Sequence, residues 1–592
     1  MCLPFISPIA TPTRLAPISC LLLAFVLTGC NRAPKESPVP ALAADFVNET
    51  LALSPISATA AGYHEHQGRS LDGELDDLSP AGITAQRQTL QRFRGRVQEL
   101  GSATLSPEDR ADLSLIQDQI ALSLLELDEI QNWRHNPTLY VELVGNALFT
   151  PHLLNYAPPA ERYRHIIARL QRVPAFLQAA RANLQDAPEI WNRVAREENE
   201  GNIALIEGTL RRAVPADLLG EYEKAASAAL PALRGFNEWL AKDLSSKTSN
   251  WRLGKAKYES KFRYALSLPV DSAALLQDAE TSLQAVRREM LDIVKPGHGL
   301  DPGSPAQRDA ANQLLRAALD RIAGDHATRD SYMGAARADL DEARIFVRES
   351  GLLPLPLRDN LQLIETPEFM RGIYGVGGFN AAPPLQPELG AFYWLTPIPA
   401  DWPADRVESK LREYNNYGLK ILTIHEAMPG HYVQLEHANN VTPLPRRVLR
   451  SLFGNGPYVE GWAVYVTEVM LNAGYLNGNK DLRLTFLKQQ LRMIANTLLD
   501  IRMQTAGMTD EEAMSLMLDS TFQEKEEAVA KLQRAKLSSA QLPTYFAGYR
   551  EWRRIRAGYE KKKGAGFRLY DFHEAALRPG AVSLKSLPSL LQ

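Results

Sequence analysis

The stretch LTIHEAMPGHYVQ, residues 422–434, decides how this chain is read. A His-Glu pair with a second His close behind is how many zinc sites place two ligands and a base on one helix, in the spacing His-Glu-x-x-His. Here two further residues intervene, and one of them is proline. On a regular helix, residues four apart are offset by about 40° and share a face, whereas residues six apart are offset by about 240° and do not. His425 and His431 therefore cannot face one ion from an undisturbed helix. Pro429, however, has no N–H for the carbonyl of His425, and its ring clashes there, so the helix must widen, bulge or end at this turn. Gly430 then adopts backbone angles that other residues resist. The spacing predicts a helix irregularity at Pro429, where the two extra residues are absorbed.

A second stretch, PYVEGWAVYVTEVM (457–470), turns a common residue pattern into a candidate site. Two histidines completed by a carboxylate from another helix, with a fourth position left open, form a frequent zinc arrangement. Glu460 is the candidate third ligand. His425, His431 and Glu460 are then expected to converge on one point, roughly 2.0 to 2.2 Å from a zinc ion. Without that second stretch, His425 and His431 read equally well as two of eleven histidines on an amphipathic helix, with Glu426 a solvated charge.

HEAMPGH and EGWAVYVTE together resemble the bacterial family known as domain of unknown function 885, many of whose members carry lipoprotein signals. The resemblance covers nearly the whole mature chain, through LALSPISATAAGYHEH (51–66), LGKAKYESKFRYAL (253–266) and LYDFHEAALRPGAVSLKSL (569–587). That family is grouped with zincin-like metallopeptidases, which implies a mainly α fold with a small β-sheet beside the active-site helix, and zinc-peptidase chemistry. The EGWA segment is also similar to the NEGFA segment of the aminopeptidase N family, whose glutamate is a zinc ligand. The resemblance maps His425, His431 and Glu460 to the Zn2+ ligands and Glu426 to the catalytic base. One departure stands out: where the family usually has Asp-Thr-Gly-Leu-His, this chain has Asp500-Ile-Arg-Met-Gln504. Gln504 keeps hydrogen-bonding capacity but cannot become cationic, so a change in specificity or activity is expected if that position meets substrate.

The chemistry such a site requires suggests two more residues. A tetrahedral oxyanion needs a donor besides the metal. Tyr545 in QLPTYFAGYR is the candidate, beside the simpler reading of a core tyrosine. Glu468 is a candidate to hold a ligating imidazole through its free N–H, as carboxylates commonly do, and a surface ion pair fits it equally well. His437, Arg550–Lys563 and His573 take plainer readings: the solvated side of the histidine helix, a solvated charged face, and capping or packing.

The rest of the chain sets the frame. At 592 residues with 45% hydrophobic and 23% charged content, it can bury an ordinary core and is expected to form two lobes. A net charge of -3 gives no reason to expect a nucleic-acid partner. APISCLLLAFVLTGC (16–30) is too short to span a bilayer comfortably and reads as a secretory signal. Its end resembles a bacterial lipobox, which implies a signal peptide over 1–29 and a lipid on Cys30, followed by a tether over 30–43. The three cysteines are Cys2, Cys20 and Cys30, so a cleaved chain has no pair left for a disulfide. Asn31 in place of aspartate after that cysteine implies outer-membrane sorting, facing the periplasm.

Helical periodicity runs through 83–100, 110–130 and 273–294, with apolar residues three and four apart. Near residue 352 the composition turns rich in Gly, Pro and aromatics, and AFYWLTP (391–397) is the strongest strand candidate. We expect a helical N-terminal lobe over 44–340 and a zincin-like catalytic lobe over 341–592, with AFYWLTP either an edge strand able to pair with an extended peptide or an ordinary buried strand. Two classes of function stay open at this point. One is a lipid-anchored zinc hydrolase acting on peptides or peptide-like amides, and the other is a non-catalytic envelope lipoprotein that binds a peptide, metal or protein partner. The base Glu426 favours the enzyme, since a binder has no use for it.

Overall fold

The computed structural model describes residues 37–101, 104–371 and 374–591. Most of them are helical, in keeping with the 3.6-residue periodicity. Helix α1 (Val39–Leu53) is followed by α2 (Pro80–Leu100), α3 (Pro107–Leu125) and α4 (Ser272–Val294). The last three match the apolar stripes and start at side-chain caps: Ser79 accepts the Gly82 N–H, Ser106 that of Asp109, and Asp271 that of Ala274. The middle stripe departs from a regular helix in its last turn, which widens to a π turn over Glu126–Ile130. Among the described residues, no helix is long and apolar enough to cross a membrane. Cys30 and the leader lie outside the described residues.

The expected tether does not reach Ala43. α1 starts at Val39 and buries Val39, Leu42, Ala43, Phe46 and Val47. The Ala and Pro content of 38–44 masked an apolar spacing of three and four.

A three-stranded sheet stands where the composition changes. Its strands are β1 (Leu361–Glu365), β2 (Gly377–Asn380) and β3 (Ala391–Leu395), in the order β1-β3-β2. β3 runs parallel to β1, with Leu363 opposite Tyr393, and antiparallel to β2, with Phe379 opposite Tyr393. AFYWL is thus the central strand, not the expected edge, because both of its ladders are taken. All five of its residues are buried, and an unbroken apolar run without alternation is the mark of a strand covered on both faces. The outer strand beside the histidines is β2, whose glycines gave it little strand signal.

The expected division near residue 340 does not separate two cores. The largest hydrophobic cluster joins Ala111, Tyr258 and Met290 to Trp462, Leu487 and Trp552, and Pro38–Gln592 forms one compact unit. Charge also crosses that boundary. Helices α5 (Asn416–Glu426), α6 (His431–Ala438) and α7 (Leu444–Leu452) follow the sheet. On α7, Arg446 and Arg450 share a face and reach back to α3. Arg446 Nε lies 2.6 Å and Arg450 Nε 2.7 Å from the Asp112 carboxylate, while Arg446 Nη2 meets Asp109 at 2.8 Å and Arg450 Nη2 meets Glu108 at 2.7 Å.

Farther along the chain come α8 (Gly456–Asn472), α9 (Lys480–Thr505), α10 (Lys525–Leu537) and α11 (Pro543–Lys563). These four, with α5, α6 and β2, position the site.

Candidate metal centre

α5 starts at Asn415, whose Oδ1 accepts the N–H groups of Tyr417 and Gly418 at 3.1 Å each. It ends at Glu426, because Ala427 leaves helical angles (φ -122°, ψ -82°) just before Pro429. The two extra residues are looped out, and the Gly430 N–H closes the loop on the Ile424 carbonyl at 2.9 Å. A Cβ on Gly430 would lie 1.9 Å from the His425 carbonyl oxygen, so this approach admits only glycine. α6 then begins at His431 with a new axis. The break brings the second imidazole back over the first, with ring centroids 4.7 Å apart and planes at 79°.

Glu460 comes from α8, and the residues around it explain the rest of EGWA. Gly461 lies against Gly548 of α11 so closely that a Cβ would meet the Gly548 backbone at 2.3 Å. That contact brings α11, which carries Tyr545, up to the metal-ligand helix. The next residue, Trp462, is fully buried and donates its indole N–H to the Pro429 carbonyl at 3.0 Å. The motif thus supplies an acid, a close helix crossing and a support for the broken turn.

The three side chains converge. His425 Nε2 and His431 Nε2 each lie 3.4 Å from Glu460 Oε2, and one ligand atom from each residue falls within 4.8 Å of the others. In a tetrahedral zinc site with arms near 2.0–2.1 Å, the ligand-to-ligand edge is about 3.3–3.4 Å. Glu460 Oε2 is buried with no contact beyond the two imidazole approaches at 3.4 Å, while His431 Nδ1, across its ring from the cluster, has no hydrogen-bond partner among the described residues. Burial would raise the Glu460 carboxyl, but His425 and His431 hold it well below the usual carboxylate range. Burial would lower His431, and Glu460 and Glu426 carry it above its ordinary value instead. The cluster stabilises positive charge at its centre. A donor set of two imidazoles and one carboxylate suits Zn2+, so the residues fit the expected ion.

Glu426 stands beside the three without joining them, its Oε2 4.0 Å from His431 Nε2. It lines a cavity of about 420 Å³ together with His425 and Tyr545. The Tyr545 ring stacks on His425, with centroids 6.1 Å apart and planes at 21°. Burial pushes the Tyr545 phenol up to about 12, so it keeps its proton and can donate.

Several candidates fall elsewhere. Glu468 is two turns beyond Glu460, about 12 Å along the helix, and faces Arg553 Nε at 3.6 Å rather than an imidazole. Gln504 is buried and bridges backbone, accepting the Leu253 N–H at 2.8 Å and donating to the Ser538 carbonyl at 3.3 Å, outside the cavity lining. His437 is half-buried, not on a solvated side, and bonds the Pro354 carbonyl at 2.9 Å. His573 packs against Trp462 and bonds Leu352 O and Tyr465 Oη at 2.7 and 2.9 Å, while burial depresses it to about 4. The cavity also contains side chains that sequence reasoning missed, among them Arg492, Lys531 and Arg534 of α9 and α10. EKEEAVAKLQRAK reads as an ordinary amphipathic helix, and its one signal was the three-residue spacing of Lys531 and Arg534.

Fold and site together define a mainly helical protein with a buried two-histidine, one-carboxylate centre opening on a charged cavity. The chain belongs to the family DUF885, bacterial proteins of unknown function, whose family model matches residues 55–591. Among solved structures it is similar to a putative lipoprotein of unknown function from Shewanella oneidensis, at 29% identity and a TM-score of 0.75 over 94% of this chain and 100% of that one. It shares its fold with a putative lipoprotein from Colwellia psychrerythraea, at 16% identity and a TM-score of 0.75 over 93% of this chain and 98% of the other. No curated protein matches the chain.

Proposed function

We propose that this protein is a zinc-dependent hydrolase of peptides or peptide-like amides, with a zincin-like arrangement of its site. The observation that carries the reading is the convergence of His425, His431 and Glu460, with Glu426 at their edge and aimed into the same cavity. Those three residues would hold a zinc ion, which when bound would supply a Lewis acid for the scissile carbonyl and for the attacking water. Glu426 is placed to accept a proton from the attacking water and to pass it to the leaving amine. The Tyr545 hydroxyl donates to the carbonyl oxygen as it gains charge. β2, the outer strand beside His431, offers main-chain groups to an extended substrate, the role first expected of AFYWL.

Replacing Glu426 tests the enzyme against the binder. Glu426→Gln keeps all three ligands but cannot accept the proton. The variant should retain about one zinc per chain while turnover of a peptide substrate falls by roughly 10²-fold or more. Unchanged turnover would remove Glu426 from the mechanism, and no turnover of any peptide by the wild type would leave a binding protein.

The lipobox-like segment ending at Cys30, together with the lipoprotein descriptions of the two structural relatives, supports a lipid anchor at the cell envelope, with Asn31 directing it to the outer membrane. Fractionation against Cys30→Ala checks this: equal release of both forms into the soluble fraction would sink it.

A further inference from the structure

The cavity beside the metal centre is charged unevenly. Six cationic side chains line it, Arg371, Arg406, Lys410, Arg492, Lys531 and Arg534, against the carboxylates of Glu426, Glu526 and Glu527. Four of the six cations are engaged. Arg371 faces Glu365 at 3.3 Å, Arg406 pairs with Glu526, and Arg492 pairs with Glu527. Lys410 donates to the Gly375 carbonyl at 2.8 Å and lies over the Tyr414 ring.

Lys531 and Arg534 are different. They sit three apart on α10 and so share a face. Among the described residues, Arg534 has no carboxylate within ion-pair reach. Its hydrogen bonds go to the neutral Gln541 Oε1 at 3.1 Å and Tyr545 Oη at 3.4 Å. Lys531 is only 5% exposed and has neither a hydrogen bond nor an ion pair among the described residues. Glu527, one turn before it, spends its carboxylate on Arg492 and on the Tyr414 hydroxyl at 3.1 Å. Burial, reinforced by Arg492 and Arg534, drives the Lys531 ammonium well below its ordinary range. Glu527 and Glu460 oppose this only from a distance, and a desolvated cation pair with no carboxylate in contact is costly unless an anion completes it.

The position of the pair says which anion. Arg534 touches the Tyr545 hydroxyl, and the Tyr545 ring stacks on His425, so the pair lies one tyrosine away from the metal ligands. Glu426, which would hand its proton to the leaving amine, lines the same cavity. The leaving half of a substrate therefore enters the space that Lys531 and Arg534 face. The same cavity is also lined by Arg492, Glu527 and Tyr414, and Arg492 Nη1 donates to the Tyr414 hydroxyl at 2.8 Å.

We propose that Lys531 and Arg534 form a subsite for a carboxylate on the leaving half of the substrate, either the terminal carboxylate of a peptide cut near its C-terminus or the side chain of an acidic residue there. The word "leaving" rests on the hydrolase reading; the carboxylate subsite itself is tested by binding alone. The probes are an N-acylated apolar dipeptide as free acid, the same dipeptide as C-terminal amide, and an amide ending in glutamate, titrated calorimetrically into the zinc-loaded protein. The free acid should bind at least about tenfold more tightly than the plain amide. Lys531→Met should erase that preference and Lys531→Arg should keep it, each with wild-type zinc content and melting temperature. If the glutamate amide equals the free acid, the subsite reads an acidic side chain; if it behaves as the plain amide, the subsite reads the chain terminus. Equal binding of acid and amide by the wild type, or a preference that survives Lys531→Met, would overturn the subsite. If Lys531→Met does not fold, the acid-against-amide ratio of the wild type decides. Turnover of the same peptides separates the two readings: preferential binding without hydrolysis removes the enzyme and keeps the subsite, whereas hydrolysis without preference does the reverse.

Discussion

Two buried polar clusters in this protein have opposite internal logic. In one, Arg446 and Arg450 of α7 face Asp109, Asp112 and Glu108 of α3, so that each charge meets its opposite at hydrogen-bond distance. In the other, His425, His431 and Glu460 bring acceptor atoms together, and the Glu460 oxygen has only the two imidazole approaches at 3.4 Å. The first cluster is complete and joins distant parts of the chain. The second leaves its converging atoms with only one another, an arrangement that fits a cation at its centre. Both are buried, so burial alone does not separate a site from architecture; what separates them is whether the polar groups satisfy one another.

The largest expected effect is in the complete cluster. Arg450 is fully buried, and even beside two guanidiniums burial holds the Asp112 carboxyl above its usual range. Arg450→Met leaves that carboxylate with one partner and strands Glu108, and should cost about 3–5 kcal/mol in urea unfolding, with or without zinc. A loss below about 1 kcal/mol would mean that the cluster is not what ties α3 to α7.

The metal centre should behave in the opposite way. Glu460→Gln removes a ligand and also the carboxylate that His425 and His431 hold ionised, so the metal-free variant should lose about 1–3 kcal/mol against the metal-free wild type. The difference appears on adding zinc. At a thousandfold excess over its dissociation constant, zinc stabilises the wild type by about 4 kcal/mol and leaves the variant unchanged. If Glu460→Gln destabilised the metal-free protein as much as Arg450→Met, the contrast between the two clusters would be lost.

The same contrast marks what a sequence can carry. The break at Pro429 and Gly430 was legible because local stereochemistry dictates it, and helical stripes such as 273–294 were legible because periodicity survives without tertiary context. The convergence of Glu460 with the histidines was suggested by the two-histidine, one-carboxylate pattern and then by family resemblance, whereas nothing local located Lys531 and Arg534. They are ordinary helix charges until α5, α9 and α11 line one cavity with them. Glu468 could not be decided for a related reason: its helical position is clear, but the partner that makes it an ion pair rather than an imidazole support, Arg553, lies on a helix that begins 75 residues later. AFYWL was recognised as a strand, but its place in the sheet depends on β1 and β2, neither of which has a strong strand pattern. The division at residue 340 followed a change in composition that the packed core ignores.

The smallest effect is the sharpest, because it separates packing from support of the metal site within one aromatic stack. Trp462 and Trp552 are both fully buried, with ring centroids 5.2 Å apart, and each donates its indole N–H to a backbone carbonyl. Trp462 bonds Pro429 O at 3.0 Å, and Trp552 bonds Tyr458 O at 2.9 Å. Replacing either by phenylalanine removes one buried hydrogen bond and some ring volume, and each should cost about 1–2 kcal/mol in urea unfolding. Their effects on metal should differ. The Trp462 bond holds the turn that places His431, so Trp462→Phe should weaken zinc binding by about tenfold, the low end for groups that orient metal ligands from outside. Trp552 touches no part of that turn through its hydrogen bond, so Trp552→Phe should leave zinc affinity within about twofold. Zinc titration of both variants against a competing chelator reads the difference directly. Equal weakening in both would mean that the stack as a whole, rather than the Trp462–Pro429 bond, sets the geometry of the centre.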